Sequence, residues 1–395
     1  MTTTATVPGR AVERSVRIAS VDVIRGAVMV LMAIDHVRVY AGVPAGGPDP
    51  AVFFTRWVTH FCAPAFVFLA GTSACLYAQT HSNLVRFLLT RGAWLIFLEM
   101  TVLRVAWTFN FEFVRYNMAG VIWVIGWCMI LLALVSRLPV AVVGVLGVVI
   151  IAGHNLLDYV DGLIPSLGSH PLSGLWKILY LGFLAGPIAV GGDGPTLWVL
   201  YSIVPWIGVM AAGYAFGRVL MLDDSKRRRA CQTIGLGAIA LFVFMRGFNL
   251  YGNPQPWTPP DVLSFLNTTK YPASLAFLLM TLGPTIALVS MLDRARGPLV
   301  RWLTVFGRVP FFFYVLHIPL IHALAMLVSL ARTGAVDPWL FADHPMASPP
   351  PPDGYTWSLP LLYAIWAIAI VVLYFTSRWF ADVKARRRDW WLGYI

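Results

Sequence analysis

Asp22, Arg25, Asp35, His36 and Arg38 all lie within SVDVIRGAVMVLMAIDHVRVY (20–40), a stretch otherwise apolar enough to cross a membrane. Even on lenient scales a charge at the centre of a spanning helix costs about 2.5 to 3.5 kcal/mol, so such groups normally face a protein interior and mark a site or pathway. Asp22, Arg25, Met29, Met32 and His36 follow a 3-4-3-4 spacing and share one helix face. Arg25 and His36 stand roughly 16 Å apart along the axis of such a helix. The stripe thus offers a guanidinium at one depth and an imidazole, which exchanges protons near neutral pH, at another. Asp22 and Arg25 either pair with each other or contact a ligand. His36 is either a packed polar residue or a working one.

Other apolar segments carry more such groups: His60, Arg91, Glu99, Arg104, His154, Asp158, Arg246, Lys270, Arg308, His317 and His322. His154 and Asp158 are spaced i, i+4, so on a helix the carboxylate would orient the imidazole. Glu99, in mid-segment, calls for an arginine from another helix. The histidines are scattered and lack ligand-type spacing, so no metal is expected. Cys62, Cys75, Cys128 and Cys231 form no CxxC pair and read as packing residues.

What must position these groups is a membrane bundle. The chain has 395 residues, 58% hydrophobic and 12% charged, whereas a soluble globular chain carries roughly 25% charged residues. The expected class is an all-α polytopic membrane protein. Its net charge of +11 belongs to loops beside a lipid surface, and no nucleic-acid partner is expected. Apolar runs of about 18 or more residues predict ten spans, near 18–40, 58–78, 86–107, 119–137, 139–157, 197–221, 230–249, 271–292, 303–330 and 358–381. An eleventh stretch, 175–192, is short and rich in Gly and Pro, which suits a re-entrant or interfacial segment. The first span follows Arg10, Arg14 and Arg17 as a signal peptide would, but its length and charged end predict a retained helix.

Lys and Arg concentrate on alternate loops, around Arg86, Arg137, Lys226 to Arg229, Arg294 to Arg301 and Lys384 to Arg388. Together with Arg10, Arg14 and Arg17 they place both termini on the cytoplasmic side. Asp22, Arg25, Arg86, Arg91 and Arg308 then fall towards the inside. His36, His60, His154, Asp158, Arg246, Lys270 and His317 fall in the outer half. Arg38 and Arg86 sit near span ends, where arginines ordinarily snorkel or cap. The chain divides into a cytoplasmic tail 1–17, one transmembrane domain 18–381 and a basic, Trp-bearing interfacial tail 382–395.

RIASVDVIRGAVMVLMAIDHVR, THFCAPAFVFLAGTSACLY, FGRVPFFFYVLHIPLIH and the terminal RRRDWW resemble bacterial members of the heparan-α-glucosaminide N-acetyltransferase family, within the transmembrane acyltransferases. The resemblance runs over about 17–392. With the family's lysosomal member it is confined to S-V-D-x-x-R-G, P-x-F-V-F-x-x-G and Y-V-x-H. It implies an inner-membrane, multi-pass enzyme that passes an acyl group, usually acetyl from acetyl-CoA or another acyl-CoA co-substrate, to an acceptor across the membrane. Membrane lipid, acyl-CoA and a sugar or glycolipid acceptor are the implied partners, and a homodimer is compatible with it.

On that resemblance, Arg25, Asp22, Arg91 and Arg308 are candidates for the CoA side. His36, with Asp35 or His60 nearby, is the candidate base for the acceptor amine or hydroxyl, by direct transfer or through an acetyl-imidazole. His154, Asp158, Arg246, Lys270 and His317 are candidate acceptor-side residues. The loop AGVPAGGPDPAVFFTR lacks the histidine essential in the lysosomal member, and His36 stands where that enzyme has Asn. The base has moved to His36 or His60, the acceptor differs, or the activity is lost. Two other classes compete: a proton-coupled transporter for a small anion or lipid, against which no internal repeat is evident, and a non-catalytic envelope scaffold.

Overall fold

Val, Ile, Met and Ala fill most of 21–39 without a proline, and the segment folds as one helix, α1 (Ala19–Tyr40). Just beyond it Gly42 takes a φ of +67°, which turns the chain away. Asp49 accepts from the backbone N–H groups of Ala51 and Val52 and, with Pro50 at the first position, starts α2 (Pro50–Trp57). A 3-10 turn, Val58–Phe61, joins it to α3 (Cys62–Ala78). The next helix, α4 (Leu84–Leu98), runs through a π turn, Glu99–Leu103, into α5 (Arg104–Thr108). The bundle is completed by α6 (Val121–Val135), α7 (Val140–Gly153), α8 (Ile203–Leu220), α9 (Asp224–Gly247), α10 (Leu275–Leu292), α11 (Pro298–Arg308), α12 (Pro310–Thr333) and α13 (Leu359–Arg386).

This computed structural model describes residues 18–160, 172–189, 191, 194–387 and 389–393. The expected tail 1–17 with Arg10, Arg14 and Arg17 lies outside the described residues, as do Arg388 and the last two residues of the C-terminal tail. The protein is mostly helical, and among the described residues seven helical stretches are long and apolar enough to cross a membrane. They are Pro50–Ala78, Val140–Tyr159, α8, α9, α10, α12 and α13. Each of the other three expected spans coincides with helix, but α1 and α4–α5 carry too many charges, and α6 is short.

The described part of the stretch 175–192, residues 175–189 and 191, is a run of short turns, with a π turn at Lys177–Leu181 and a 3-10 turn at Gly182–Ala185, and residues 190 and 192 lie outside the described residues. Gly182 and Gly186, both at positive φ, break it. It leads into a small sheet that the all-α expectation lacked. β1 (Asn117–Ala119), β2 (Ile188–Ala189) and β3 (Thr196–Val199) lie in the order β1-β3-β2. Asn117 pairs parallel with Leu197, and Ile188 pairs antiparallel with the same residue.

The charged helix is the axis of the bundle, with α3, α10, α11, α12 and α13 packed around α1. Close approach depends on glycines. A Cβ on Gly26 would fall on the backbone of Leu303, and one on Gly307 on the backbone of Asp22, so α1 and α11 touch backbone to backbone. Likewise Gly71 meets the backbone of Met210 and Tyr214, and Gly213 meets that of Phe68, locking α3 to α8. The outer helices α7 and α9 are mostly exposed and face the space that lipid would fill.

Gly213→Leu should force α3 and α8 apart at a cost of about 1–3 kcal/mol or more. Gly237→Leu on α9, where nothing lies within 4 Å of the added Cβ, should cost nothing. Melting temperatures of the two variants in detergent check this, with a drop expected for Gly213→Leu alone.

Candidate active site

Two cavities lie along α1. The first, about 340 Å³, is lined by Arg25, Met29, Phe66, Tyr77, Arg91 and Tyr314 among others. The second, about 260 Å³, is lined by Met32, Asp35, His36, Arg38, Arg56, Trp107, Lys270 and Tyr314, and Phe66 lines both. The spacing that put Arg25, Met29, Met32 and His36 on one face thus set them along one axis, with Phe66 and Tyr314 between the two chambers. In the first chamber Arg25 donates to Ser73 Oγ and, at 3.3 Å, to the Leu69 carbonyl, and lies 4.0 Å from Asp22. Arg91 stacks over Phe311, 5.3 Å from the ring centre.

In the second chamber a chain of hydrogen bonds fixes the imidazole. His317 is fully buried, and its Nδ1 stands 2.6 Å from the Tyr314 carbonyl and 3.2 Å from that of Phe313. A carbonyl only accepts, so this nitrogen carries the hydrogen and His317 Nε2 is left as an acceptor. His36 Nδ1 lies 2.6 Å from that Nε2 and must therefore donate to it. The lone pair of the neutral His36 ring is then on Nε2, which has no protein partner among the described residues. Stacking on His317 and an edge contact with Trp107, ring centres 4.8 and 4.9 Å away, hold the ring in place. A lone pair held at a cavity wall by a second histidine is the geometry of a general base.

The charges around it are unequal. Asp35 binds Arg38 Nε at 2.7 Å, and Arg38 also donates to the Val43 carbonyl at 2.7 Å, so this arginine holds the loop after α1 as a cap. Arg56 and Lys270 also lie within electrostatic reach of Asp35. His60, buried and with both ring nitrogens unpartnered among the described residues, borders an adjoining cavity of about 430 Å³ that shares Arg56 and Ala45 with the His36 chamber.

The structure therefore brings His36, Asp35 and Lys270 together, sets His317 behind His36 and His60 beside them, and groups Arg25, Asp22 and Arg91 at the other chamber. Other expected residues lie elsewhere. Arg308 is exposed at the end of α11 and outside both cavities; the chain turns at Val309, and Pro310 and Phe311 line the cavity instead. His154 and Asp158 do not pair. The helix tightens to 3-10 geometry there, which takes i, i+4 residues off one face. His154 bonds the carbonyls of Ile150, Ile151 and Ala273, and Asp158 accepts from Asn155 and Tyr180. Arg246 donates to the carbonyls of Gln255, Ser264, Phe265 and Asn267 and so clamps a loop. Glu99 meets no arginine among the described residues: it accepts from the N–H groups of Ile122 and Trp123 at the start of α6, whose positive dipole end suits a carboxylate.

Sequence reading passed over Arg56, Phe66, Trp107 and Tyr314. Only Tyr314 had a visible signal, its i, i+3 spacing from His317 in YVLH.

Among known proteins, a family model described as heparan-alpha-glucosaminide N-acetyltransferase, catalytic, matches residues 17–250. The match covers more than half of the chain and spans α1 to α9, with Arg25, His36 and His60; Lys270, Tyr314 and His317 lie beyond it. No curated protein matches the chain.

In ¹⁵N histidine spectra at pH 8, His36 should titrate as an Nδ1–H tautomer with a bare Nε2. His317→Leu should convert it to a tautomer mixture with the fold intact. An Nε2–H tautomer in the parent protein would contradict the hydrogen-bond order.

Proposed function

We propose that this chain, which belongs to the heparan-alpha-glucosaminide N-acetyltransferase family, is a membrane acetyltransferase that uses His36 Nε2 to activate an acceptor for acetyl transfer. The observation that carries this reading is the hydrogen-bond chain from the Tyr314 carbonyl through His317 to His36.

The two chambers suit two substrates. Acetyl-CoA supplies an activated thioester on a slender pantetheine arm with an anionic head. Arg25 and Arg91 suit that head, the more so because the rest of their cavity is largely apolar and aromatic. Phe66 and Tyr314 flank the passage to the His36 chamber, where the carbonyl carbon meets the acceptor. As the acceptor nitrogen or oxygen bonds to that carbon, His36 Nε2 takes its proton. His317 and Asp35 stabilise the resulting imidazolium, the first by accepting from Nδ1 and the second by charge. The C–S bond then breaks, and His36 returns the proton to the departing sulfur.

Adding α1, α4–α5 and α6 to the seven apolar helices makes ten spans, in line with the ten apolar runs. The Lys and Arg bias between loops favours a cytoplasmic side for both termini and for the Arg25 chamber. The acceptor then lies on the far side of a bacterial inner membrane, and a sugar or glycolipid amine or hydroxyl is the acceptor class.

With purified protein in detergent and radiolabelled acetyl-CoA, His36→Gln should lower kcat for acetyl transfer or slow hydrolysis by about 10²- to 10⁴-fold. The KM for acetyl-CoA should stay near wild type. Arg25→Gln and Arg91→Gln should instead raise that KM. Full turnover by His36→Gln, or no saturable CoA binding by the parent protein, would refute the assignment.

A further inference from the structure

Tyr314 stands where the two chambers meet, and nothing described so far gives its hydroxyl a task. The residue is 5% exposed and lines both cavities, as Phe66 does. Other buried tyrosines commit the hydroxyl to the protein: Tyr40 donates to the Trp107 carbonyl at 2.6 Å, Tyr180 to Asp158, and Tyr355 to the Tyr40 carbonyl at 2.8 Å. The Tyr314 hydroxyl bonds no protein group among the described residues and opens on cavity space. A phenylalanine would wall the passage equally well, so packing does not account for the oxygen. The main chain of the same residue fixes the base. Its carbonyl accepts from His317 Nδ1 at 2.6 Å, and His317 Nε2 in turn accepts from His36 Nδ1 at 2.6 Å. The Tyr314 ring also rests edge-on against that of His317, centres 5.2 Å apart. One turn of α12 therefore positions both the free hydroxyl and, through His317, the bare His36 Nε2.

We propose that Tyr314 is a further catalytic residue, whose O–H donates to the thioester carbonyl oxygen and stabilises the oxyanion that forms there. The inference rests on the acetyltransferase reading and fills a place that reading leaves open. When the acceptor nitrogen or oxygen bonds to the carbonyl carbon, the C=O π pair moves onto oxygen, and His36 Nε2 takes the acceptor's proton. The charged oxygen accepts from the Tyr314 hydroxyl. C=O then re-forms as C–S breaks, the bonding pair leaves on sulfur, and the proton on His36 joins it. Tyr314 keeps its own hydrogen throughout. A donor of this kind works best when it is in place before the charge develops. Arg38, Arg56 and Lys270 line the His36 chamber alone, whereas Tyr314 also lines the chamber from which the thioester arm comes. Tyr201 and Tyr271 likewise line only the His36 chamber, and their hydroxyls meet each other at 3.5 Å. Position therefore selects Tyr314 over its charged and phenolic neighbours. It also stands outside the segment matched by the family model.

The test compares the full-length protein with Tyr314→Phe in detergent, with radiolabelled acetyl-CoA as donor and water or glucosamine as acceptor. In the variant kcat should fall by about 10²- to 10³-fold, the usual effect of removing one oxyanion donor, while the KM for acetyl-CoA stays near that of the parent. The melting temperature should not change, because the hydroxyl supports no protein contact. A spectroscopic reading separates this role from a structural one. With no acceptor added, the infrared carbonyl band of bound carbonyl-¹³C acetyl-CoA should lie at lower frequency in the parent than in Tyr314→Phe. An active parent beside a variant of equal kcat overturns this proposal alone. So does a raised KM with kcat unchanged, which would make the ring a steric gate only, or a carbonyl band that the substitution leaves in place. A parent protein that binds acetyl-CoA saturably but neither hydrolyses nor transfers the acetyl group overturns the transferase reading and this proposal with it.

Discussion

A helix with charged residues near both ends cannot face hydrocarbon, and the rest of the bundle follows from enclosing α1. The helix first reduces its own cost: Asp22 lies 4.0 Å from Arg25 and Asp35 lies 2.7 Å from Arg38, both at i, i+3. Each end is thereby close to neutral before any neighbour arrives. Five helices then wrap it, and Gly26 and Gly307 let α11 come in against its backbone. Enclosure of an irregular polar stripe cannot be gap-free, and the gaps fall where the stripe lies, at Arg25 and at His36.

Contacts to backbone carbonyls then hold α1 rigidly. Trp366 Nε1 donates to the Val30 carbonyl at 2.9 Å and Cys62 Sγ to that of Val28 at 3.0 Å. At the far end Tyr40 bonds the Trp107 carbonyl, while Tyr355 and the Trp357 N–H bond the carbonyls of Tyr40 and Ala41. The His36–His317 bond adds a side-chain tie to these, and it alone carries a direction of proton transfer. Because His317 is tied to its own helix by a carbonyl, α12 cannot shift relative to α1 without changing which nitrogen of His36 is bare. Position and protonation are thus one constraint, and a working base needs both.

Periodicity made the α1 stripe readable, and the apolar runs located every long helix, because hydrophobicity and helical spacing act within one segment. What sequence did not reveal was set by contacts between segments or with the backbone. His154 and Glu99 were read as side-chain partners of other groups and Arg246 as an acceptor-side residue, yet all three bind main-chain atoms that spacing cannot foresee. Arg308 lies outside the cavity for a related reason: the chain turns at Val309, and Pro310 and Phe311 line the wall instead. That Lys270, Arg56 and Arg38 share one carboxylate, Asp35, emerges only when the residues of the chamber are brought together.

The wall between the chambers bears on the competing transport reading. A permease for a small anion needs a polar route whose two halves open alternately. Here the residues common to both chambers are Phe66 and Tyr314, a ring without polar atoms and a ring with one hydroxyl. Such a wall resists a hydrated ion, which would lose its shell there, but a narrow thioester arm has little shell to lose. The two rings therefore favour passing an acyl group while keeping anions on their own sides, and the cationic Lys270 and Arg56 line the His36 chamber and not the Arg25 chamber. A barrier that is selective in this sense suits group transfer across a membrane better than it suits translocation of a charged solute.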